Sequence, residues 1–175
     1  MLIGHFRKYG KKGGIILADG KKFFPNADHK HIHDRHKRLI LNNELRAFGD
    51  SVIQTIKAEK GMPLGIEPSQ AEMIAYPSEM DNYLAAQCRL SGGHYMDDFY
   101  YLLPPDRDYR EVLKILPDKA SFELNRDKTR YIPLTKIFRY CKIKYVYSIL
   151  GFSCESIENF RKQDRTNEVH LHKKV

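Results

Sequence analysis

Apolar runs and stretches of helical periodicity alternate along this chain and predict its elements. Residues 14–18 form a continuous apolar run, which is typical of a buried strand, and the run ends at Asp19. Two helices are predicted after it, over residues 28–41 and 43–59. In the second helix, apolar residues recur at three- and four-residue spacing and define one face: Leu45, Phe48, Val52, Ile53 and Ile56.

Glycine and proline divide the second half of the chain into further elements. Residues 61–70 are predicted to be a loop, and Ser69 is expected to cap a helix over residues 70–87 that Pro77 kinks. The later elements are a helix over 106–116 that Pro117 stops, a short strand over 121–125, a polar turn over 126–130 and a hairpin over 135–148.

The candidate chemistry lies in the segment 92–103, where Asp97 and Asp98 stand between strand-forming residues. Glycines precede these residues and two prolines end the segment, which predicts a β-hairpin with a tight turn. Adjacent side chains on a strand point to opposite faces, whereas at a turn both carboxylates can lean toward one site. Half-buried carboxylates need a partner, and a divalent cation is a partner that two of them can share.

Composition narrows the class of protein. The 175 residues, 42% of them hydrophobic, suffice for one globular domain with a core. Lys and Arg number 30 against 22 Asp and Glu, and the net charge of +8 indicates either a polyanionic partner or plain solubility charge. Three widely spaced cysteines favour a reducing compartment. Without an apolar run of about 18 residues we expect no membrane partner and a cytoplasmic location.

Histidines are concentrated in the first predicted helix. His29, His33 and His36 share one helical face, so a zinc site is one interpretation of the pattern. Zinc sites normally add cysteine or acidic ligands, and the segment is rich in basic residues. We therefore favour a solvated basic face.

Five sequence blocks carry a resemblance to a known family. They are the strand ending at Asp19, the Phe23-Phe24 pair, the loop over 61–70, the Tyr95-Met96-Asp97-Asp98 hairpin and the Asn125-x-x-Lys128-Thr129 turn. In this order, and followed by a last hairpin, they resemble the palm domain of a reverse transcriptase over about residues 14–150. The resemblance implies an α+β fold, with an antiparallel sheet and helices packed on one of its faces.

The loop refines the resemblance. Its Leu64-Gly65-Ile66-Glu67-Pro68-Ser69-Gln70 sequence is most similar to that of reverse transcriptases of diversity-generating retroelements. Most relatives carry Gln where Leu64 stands and Pro where Gln70 stands. The resemblance, together with the loss of an amide donor at Leu64, implies low-fidelity copying. Abortive-infection and group II intron reverse transcriptases are the neighbouring alternatives.

The resemblance implies roles for individual residues. Asp19, Asp97, Asp98 and Lys128 match catalytic positions, with Lys128 as the group that protonates the pyrophosphate leaving group. Asp19, Gly20, Asp97 and Asp98 match positions that hold two Mg²⁺ ions, for which Mn²⁺ is a substitute. The implied nucleotide-binding residues are Phe23, Phe24, Leu64, Gly65 and Gln70, with Phe24 as the gate against a ribose 2′-hydroxyl. The implied primer grip consists of Phe138, Tyr140 and Lys142.

The implied organisation is a palm domain flanked by two short segments. Residues 1–13 are expected to be a basic flexible segment, 14–150 the palm, and 151–175 a charged tail or thumb stub. Because fingers and thumb are expected to be largely absent, we expect this chain alone to be weakly active or inactive.

Three functions are compatible with these features. The favoured one is an RNA-directed DNA polymerase of a bacterial or phage-borne element. Its partners would be an RNA template, a DNA primer, dNTPs and an accessory protein of the retroelement. The second is an inactive remnant that only binds nucleic acid, which the net charge of +8 suits equally well. The third is an unrelated structural domain, which would make the five ordered blocks a coincidence.

Overall fold

Two antiparallel sheets form the frame of the molecule. The computed structural model of the chain describes residues 2–141, 143–148 and 151–156. In the four-stranded sheet the order is β2-β3-β1-β4, and the strands are β1 Gly14–Asp19, β2 Ser91–Tyr95, β3 Asp98–Leu103 and β4 Arg130–Pro133. The second sheet has the order β5-β6-β7, with β5 Phe138–Tyr140, β6 Ile143–Ser148 and β7 Gly151–Ser156.

Six described helices accompany the sheets, so the predicted α+β class is confirmed. They are α1 Leu2–Tyr9, α2 His29–Leu39, α3 Asn43–Gln54, α4 Glu67–Ala75, α5 Ser78–Gln87 and α6 Tyr109–Lys119, with a 3-10 turn at Gly10–Lys12. The side chains of Asp28, Asn42 and Asp108 accept hydrogen bonds from the first turns of α2, α3 and α6. Each of these helices therefore begins where a good capping residue stands.

β1 is buried along its whole length, which explains its continuous apolar sequence. Successive side chains of a strand point to opposite faces. Ile16 and Ala18 join the main core, to which helices α2 to α6 contribute their buried residues. Ile15 and Leu17 face the other way, in a cluster with Phe138 of β5. The helices thus cover one face of the four-stranded sheet, and the second sheet packs near the other.

An aromatic group fills the centre of the main core. The ring of Phe23 meets those of Tyr76, Phe99 and Phe122 at centroid distances of 5.0–5.9 Å. The hydroxyl of Tyr76, which is fully buried, accepts a hydrogen bond from the Asp28 N–H and donates one to the Ser121 carbonyl, both at 2.9 Å. Tyr76 therefore connects the start of α2 with the segment that follows α6.

Three predictions about helix ends were wrong. The predicted helix over 70–87 is two helices, because Pro77 separates α4 from α5. α4 begins at Glu67 with Pro68 in its first turn, so Ser69 lies buried inside the helix and does not cap it. Pro117 does not stop α6, which continues to Lys119, since a proline this near the end costs few hydrogen bonds.

Other differences have tertiary causes. Residues 2–12, predicted to be a loop, are helical, and His5 of α1 is buried against Gly13. α3 ends at Gln54, and the Leu45 and Phe48 side chains of its expected apolar face are 57% and 59% exposed. The strand predicted over 121–125 is reduced to a single bridge between Leu124 and Gly20. Residues 157–175 of the predicted tail lie outside the described residues.

We expect Tyr76→Phe to lower the free energy of unfolding by about 1–3 kcal/mol, because the Asp28 N–H and the Ser121 carbonyl both lose their partner. Urea denaturation measures the change. Tyr95→Phe is the matched control, since Tyr95 is 68% exposed. A loss no larger than that of the control would contradict the bridging role of the Tyr76 hydroxyl.

Candidate active site

Strand pairing brings Asp19 and Asp98 together. β1 and β3 are antiparallel, and their last register pair is Asp19 with Asp98. Asp19 is only 6% exposed, whereas Asp98 is half-buried. A carboxylate at the end of a fully paired, buried strand has little freedom, so the backbone fixes the position of Asp19.

A two-residue turn adds Asp97. β2 and β3 are joined by Met96 and Asp97, and Met96 has a φ of +54°, which permits the tight reversal. The backbone N–H of Gly20 donates to the carbonyl of Asp97 at 2.8 Å. The residue after Asp19 is therefore bonded directly to the turn, and the predicted hairpin and its juxtaposition with Asp19 are both present.

Lys128 closes the site from a third direction. Its ammonium donates to Oδ2 of Asp19 at 2.8 Å. The turn that carries it is fixed by the Asn125 N–H, which donates to the carbonyl of Asp19, and by the Lys128 and Thr129 N–H groups, which donate to the Asn125 carbonyl. The segment Asn125-x-x-Lys128 thus forms a turn that is hydrogen-bonded to the end of β1.

The charges of this site are unbalanced. Burial raises the pKa of Asp98, and the carboxylates of Asp97 and Asp19 raise it further against the opposing effect of Lys128. Asp19 in turn raises the pKa of Lys128, which keeps the ammonium charged. Three carboxylates and one ammonium leave net negative charge on hard oxygen donors, and such a set suits a divalent cation such as Mg²⁺.

A cleft of about 270 Å³ opens beside the carboxylates. Its lining includes Asp19, Asp98 and three basic residues, Lys128, Arg130 and Arg139. The two arginines, which the sequence analysis did not single out, are exposed. Acidic groups at the base of a cleft with a basic rim suit a phosphate-bearing ligand.

Strand β5 and the residue that follows it form one wall of this cleft. The hydroxyl of Tyr140 donates to the backbone carbonyl of Asp98 at 3.1 Å, and its ring lies 4.9 Å from that of Tyr100. Phe138 is buried and stacks on Tyr145 at 5.0 Å. The structure therefore places Tyr140 at the acidic site and Phe138 in the apolar cluster that contains Ile15, while Lys142 lies outside the described residues.

The two phenylalanines predicted to meet the nucleotide differ in position. Phe23 is 3% exposed and belongs to the aromatic core, so its ring packs under the turn after Asp19 on the core side. Burial leaves Phe23 little surface for a ligand. Phe24 is half-buried, and its carbonyl accepts hydrogen bonds from the Met62 and Ala27 N–H groups. The Met62 bond joins the loop over 61–66 to the segment that carries Phe24.

Leu64, Gly65 and Gln70 lie on the surface. Leu64 is 73% exposed, Gly65 has a φ of +82° that favours glycine, and Gln70 is exposed in the first turns of α4. Among the described contacts, none joins these three residues to the acidic cluster. Their predicted role therefore depends on a ligand that reaches from the cleft to this loop.

The histidine helix is not the solvated face that we favoured. Arg35 and His36 are 4% and 2% exposed, because Asp50 of α3 and Glu72 of α4 supply charged partners. His33, His36 and Asp50 bring one metal-ligating atom each within 4.8 Å of one another. His29 instead contacts the carbonyl of Gly61. The spacing of His33 and His36 in the sequence indicated two of these three residues. The third, Asp50, could not be predicted from it, because Asp50 lies on α3.

Comparison with protein-family models and with curated proteins gives no match for this sequence. Among the described residues, no helix is both long and apolar enough to cross a membrane.

We expect Asp98→Asn to stabilise the metal-free protein at neutral pH. The folded protein binds the Asp98 proton more tightly than the unfolded chain does, so the ionised carboxylate lowers the free energy of unfolding once the pH rises above about 4. The variant removes this cost. It should be more stable than the wild type at pH 7 and lose most of the advantage at pH 4, in urea titrations with a chelator present.

Asp106→Asn is the matched control, because Asp106 is an exposed carboxylate beyond the opposite end of β3. Equal stabilisation by both variants would mean that general charge, and not the crowding of carboxylates around Asp98, sets the effect.

Proposed function

We propose that this chain is an RNA-directed DNA polymerase that adds dNTPs to a primer 3′ end on an RNA template. The observation that carries the proposal is the convergence of Asp19, Asp97 and Asp98 at the end of one strand pair, with Lys128 on Asp19 and a basic rim around the cleft. Carboxylates from different strands above an anion-binding cleft are what phosphoryl transfer by two metal ions requires.

Asp19, Asp97 and Asp98 would hold the Mg²⁺ ions, with the carbonyl of Gly20 as the further ligand that the family resemblance implies. Bound Mg²⁺ would activate the primer hydroxyl and neutralise charge that develops on the phosphates. The raised pKa of Asp98, which burial and then the neighbouring carboxylates cause, supports this assignment, because a bound cation would offset both effects on the ionised carboxylate. The four-stranded sheet supplies the rigidity that such a site needs.

Lys128 would act on the leaving group. In the structure its ammonium is bound to Asp19, with 63% of the side chain exposed, so it can turn into the cleft when a cation takes over that carboxylate. A lysine kept protonated by nearby acids can donate its proton to pyrophosphate as the bond to it breaks. Arg130 and Arg139 would hold nucleic-acid or triphosphate oxygens at the rim.

Phe24 would select the sugar. It lies in the turn directly after the β1 carboxylate, and its backbone is fixed by the hydrogen bond from Met62. An aromatic ring held in this way leaves no room for an added hydroxyl, because forcing extra atoms into a packed site costs about 1–3 kcal/mol. The resemblance to diversity-generating retroelements adds the expectation of low fidelity at Leu64.

One observation favours the alternative of a binding protein without polymerase activity. The 2.8 Å ion pair between Lys128 and Asp19 already gives the buried carboxylate a charged partner, so the site is partly satisfied without a metal. A remnant of this kind would keep the basic rim and bind nucleic acid through it.

Primer extension separates the two functions. We expect the wild-type chain with an RNA template, a DNA primer, dNTPs and Mg²⁺ to extend the primer slowly, since fingers and thumb are expected to be largely absent. Asp97→Asn should lower that rate by about 100-fold or more, because a ligand shared by the metal ions is lost. Asp106→Asn is the control carboxylate and should retain the wild-type rate.

Template binding completes this test. Extension by the wild type and its loss in Asp97→Asn, with equal binding of labelled primer–template by both, would establish polymerase activity. Binding without extension by either protein would leave the remnant as the function, and extension unaffected by Asp97→Asn would exclude the proposed site.

We expect Phe24→Ala to admit ribonucleotides. The ratio of rNTP to dNTP incorporation should rise by about 10-fold or more, which corresponds to the steric cost that the ring imposes on a 2′-hydroxyl. Single-nucleotide incorporation with matched rNTP and dNTP measures the ratio. Phe48→Ala is the control, since Phe48 is a 59% exposed phenylalanine of α3, and an equal rise in that variant would contradict the gate.

A further inference from the structure

A second polar cluster lies away from the carboxylates, between α2 and α3. His33 and His36 are three residues apart on α2 and therefore lie on the same face of the helix. The Nδ1 atoms of both rings are 2.7 Å from the same atom, Oδ1 of Asp50 on α3. Nothing in the proposed polymerase chemistry uses this cluster.

The burial of His36 makes the arrangement costly for protein atoms alone. His36 is 2% exposed, and the Asp50 carboxylate can only accept hydrogen bonds, so both Nδ1 atoms must carry a proton if they bond to it. His36 Nε2 also faces Oε1 of Glu72 at 3.0 Å, although not in a well-directed hydrogen bond. Without a metal, Nδ1 of the buried ring can donate to Asp50, but Nε2 is left buried without a hydrogen-bond partner.

A metal ion resolves this conflict. With the Nδ1 lone pairs of His33 and His36 and the Asp50 carboxylate on one cation, the proton of His36 would lie on Nε2, which faces Glu72 and could hydrogen-bond to it after a small rotation. A histidine ligand whose other ring nitrogen faces a carboxylate is a recurrent feature of metal centres. Glu72 is itself held in an ion pair with the buried Arg35.

The backbone makes room for the His36 ring. A Cβ added at Gly49, the residue before Asp50, would lie 2.9 Å from Cε1 of His36. Glycine at this position in the middle of α3 lowers helix stability, yet it allows the imidazole to lie against the helix. Gly49 therefore lets α3 approach α2 closely at the position of the cluster.

We propose that His33, His36 and Asp50 form a zinc site, with water as the fourth ligand, that clamps α2 to α3. Two imidazoles and one carboxylate favour Zn²⁺ over Mg²⁺. Tetrahedral bonds of 2.0–2.1 Å place ligand atoms about 3.3 Å apart. Each histidine Nδ1 lies 2.7 Å from Asp50 Oδ1, and all three candidate ligand atoms lie within 4.8 Å of one another. Small side-chain rotations would bring them to the tetrahedral spacing.

The clamp has a structural purpose. α3 buries only Val52 and Ile53, both near its C-terminal end, and Leu45 and Phe48 are largely exposed. A helix with so few buried apolar contacts is held weakly unless another interaction fixes it. The metal would fix it at Asp50, between its exposed and buried parts.

Zinc binding to the untagged full chain tests the proposal. After treatment with a chelator, the protein is titrated with Zn²⁺ in excess Mg²⁺ by calorimetry, in an Asp97→Asn background that weakens binding at the other acidic site. We expect one equivalent to bind and to raise Tm by about 5–10 °C at 100 times Kd. With Co²⁺ in place of Zn²⁺, we expect the visible absorption of a tetrahedral complex.

Variants locate the bound ion. His33→Gln is expected to weaken binding by about 100-fold or more, and Glu72→Gln by about 10- to 100-fold. His29→Gln, on the same helix but in contact with the Gly61 carbonyl, is the matched control and should bind like its parent. Far-UV circular dichroism checks that each variant folds, and Asp50→Asn replaces any variant that does not. Absence of saturable binding, or equal binding by His33→Gln and its parent, would overturn the proposal.

Discussion

The antiparallel pairing of β1 with β3 is the constraint on which the rest of the structure depends. It runs from Gly14 opposite Leu103 to Asp19 opposite Asp98, and it continues past the strand end through the bond from Gly20 to the Asp97 carbonyl. A register shift of one residue would move every side chain of β1 to the wrong face. Since both faces of β1 are buried, the core itself opposes such a shift and so fixes the carboxylates together.

That pairing holds charges that would otherwise separate. Asp98 is half-buried beside two other carboxylates, and burial first and their charge second raise its pKa, which reflects the free-energy cost of the ionised form. The apolar contacts of the sheet and the aromatic core around Phe23 offset this cost elsewhere in the molecule. Conflicts between local interactions and the fold are expected to concentrate at functional sites, and here the conflict lies at the end of a strand that is buried along its whole length.

The sequence predicted local features well and non-local ones poorly. The strand ending at Asp19 and the hairpin at Asp97 and Asp98 could be predicted because a continuous apolar run and glycine-flanked strand residues are local signals. The burial of His36 could not, because its acidic partners come from α3 and α4. Apolar periodicity in α3 wrongly implied burial of its whole face, since periodicity describes a surface but not what covers it.

The two candidate metal sites are connected through one segment of chain. The turn that carries Phe24 leads directly into α2, and the Asp28 N–H at that junction bonds to Tyr76 of the main core. Any interaction that fixes α2 against α3 and α4 therefore also limits the movement of the turn that carries Phe24. The ligand sets differ in chemistry, since oxygen donors prefer Mg²⁺ and imidazoles prefer Zn²⁺. At the two proposed sites, a zinc ion would therefore fix the helices and magnesium ions would serve the chemistry, without either metal replacing the other.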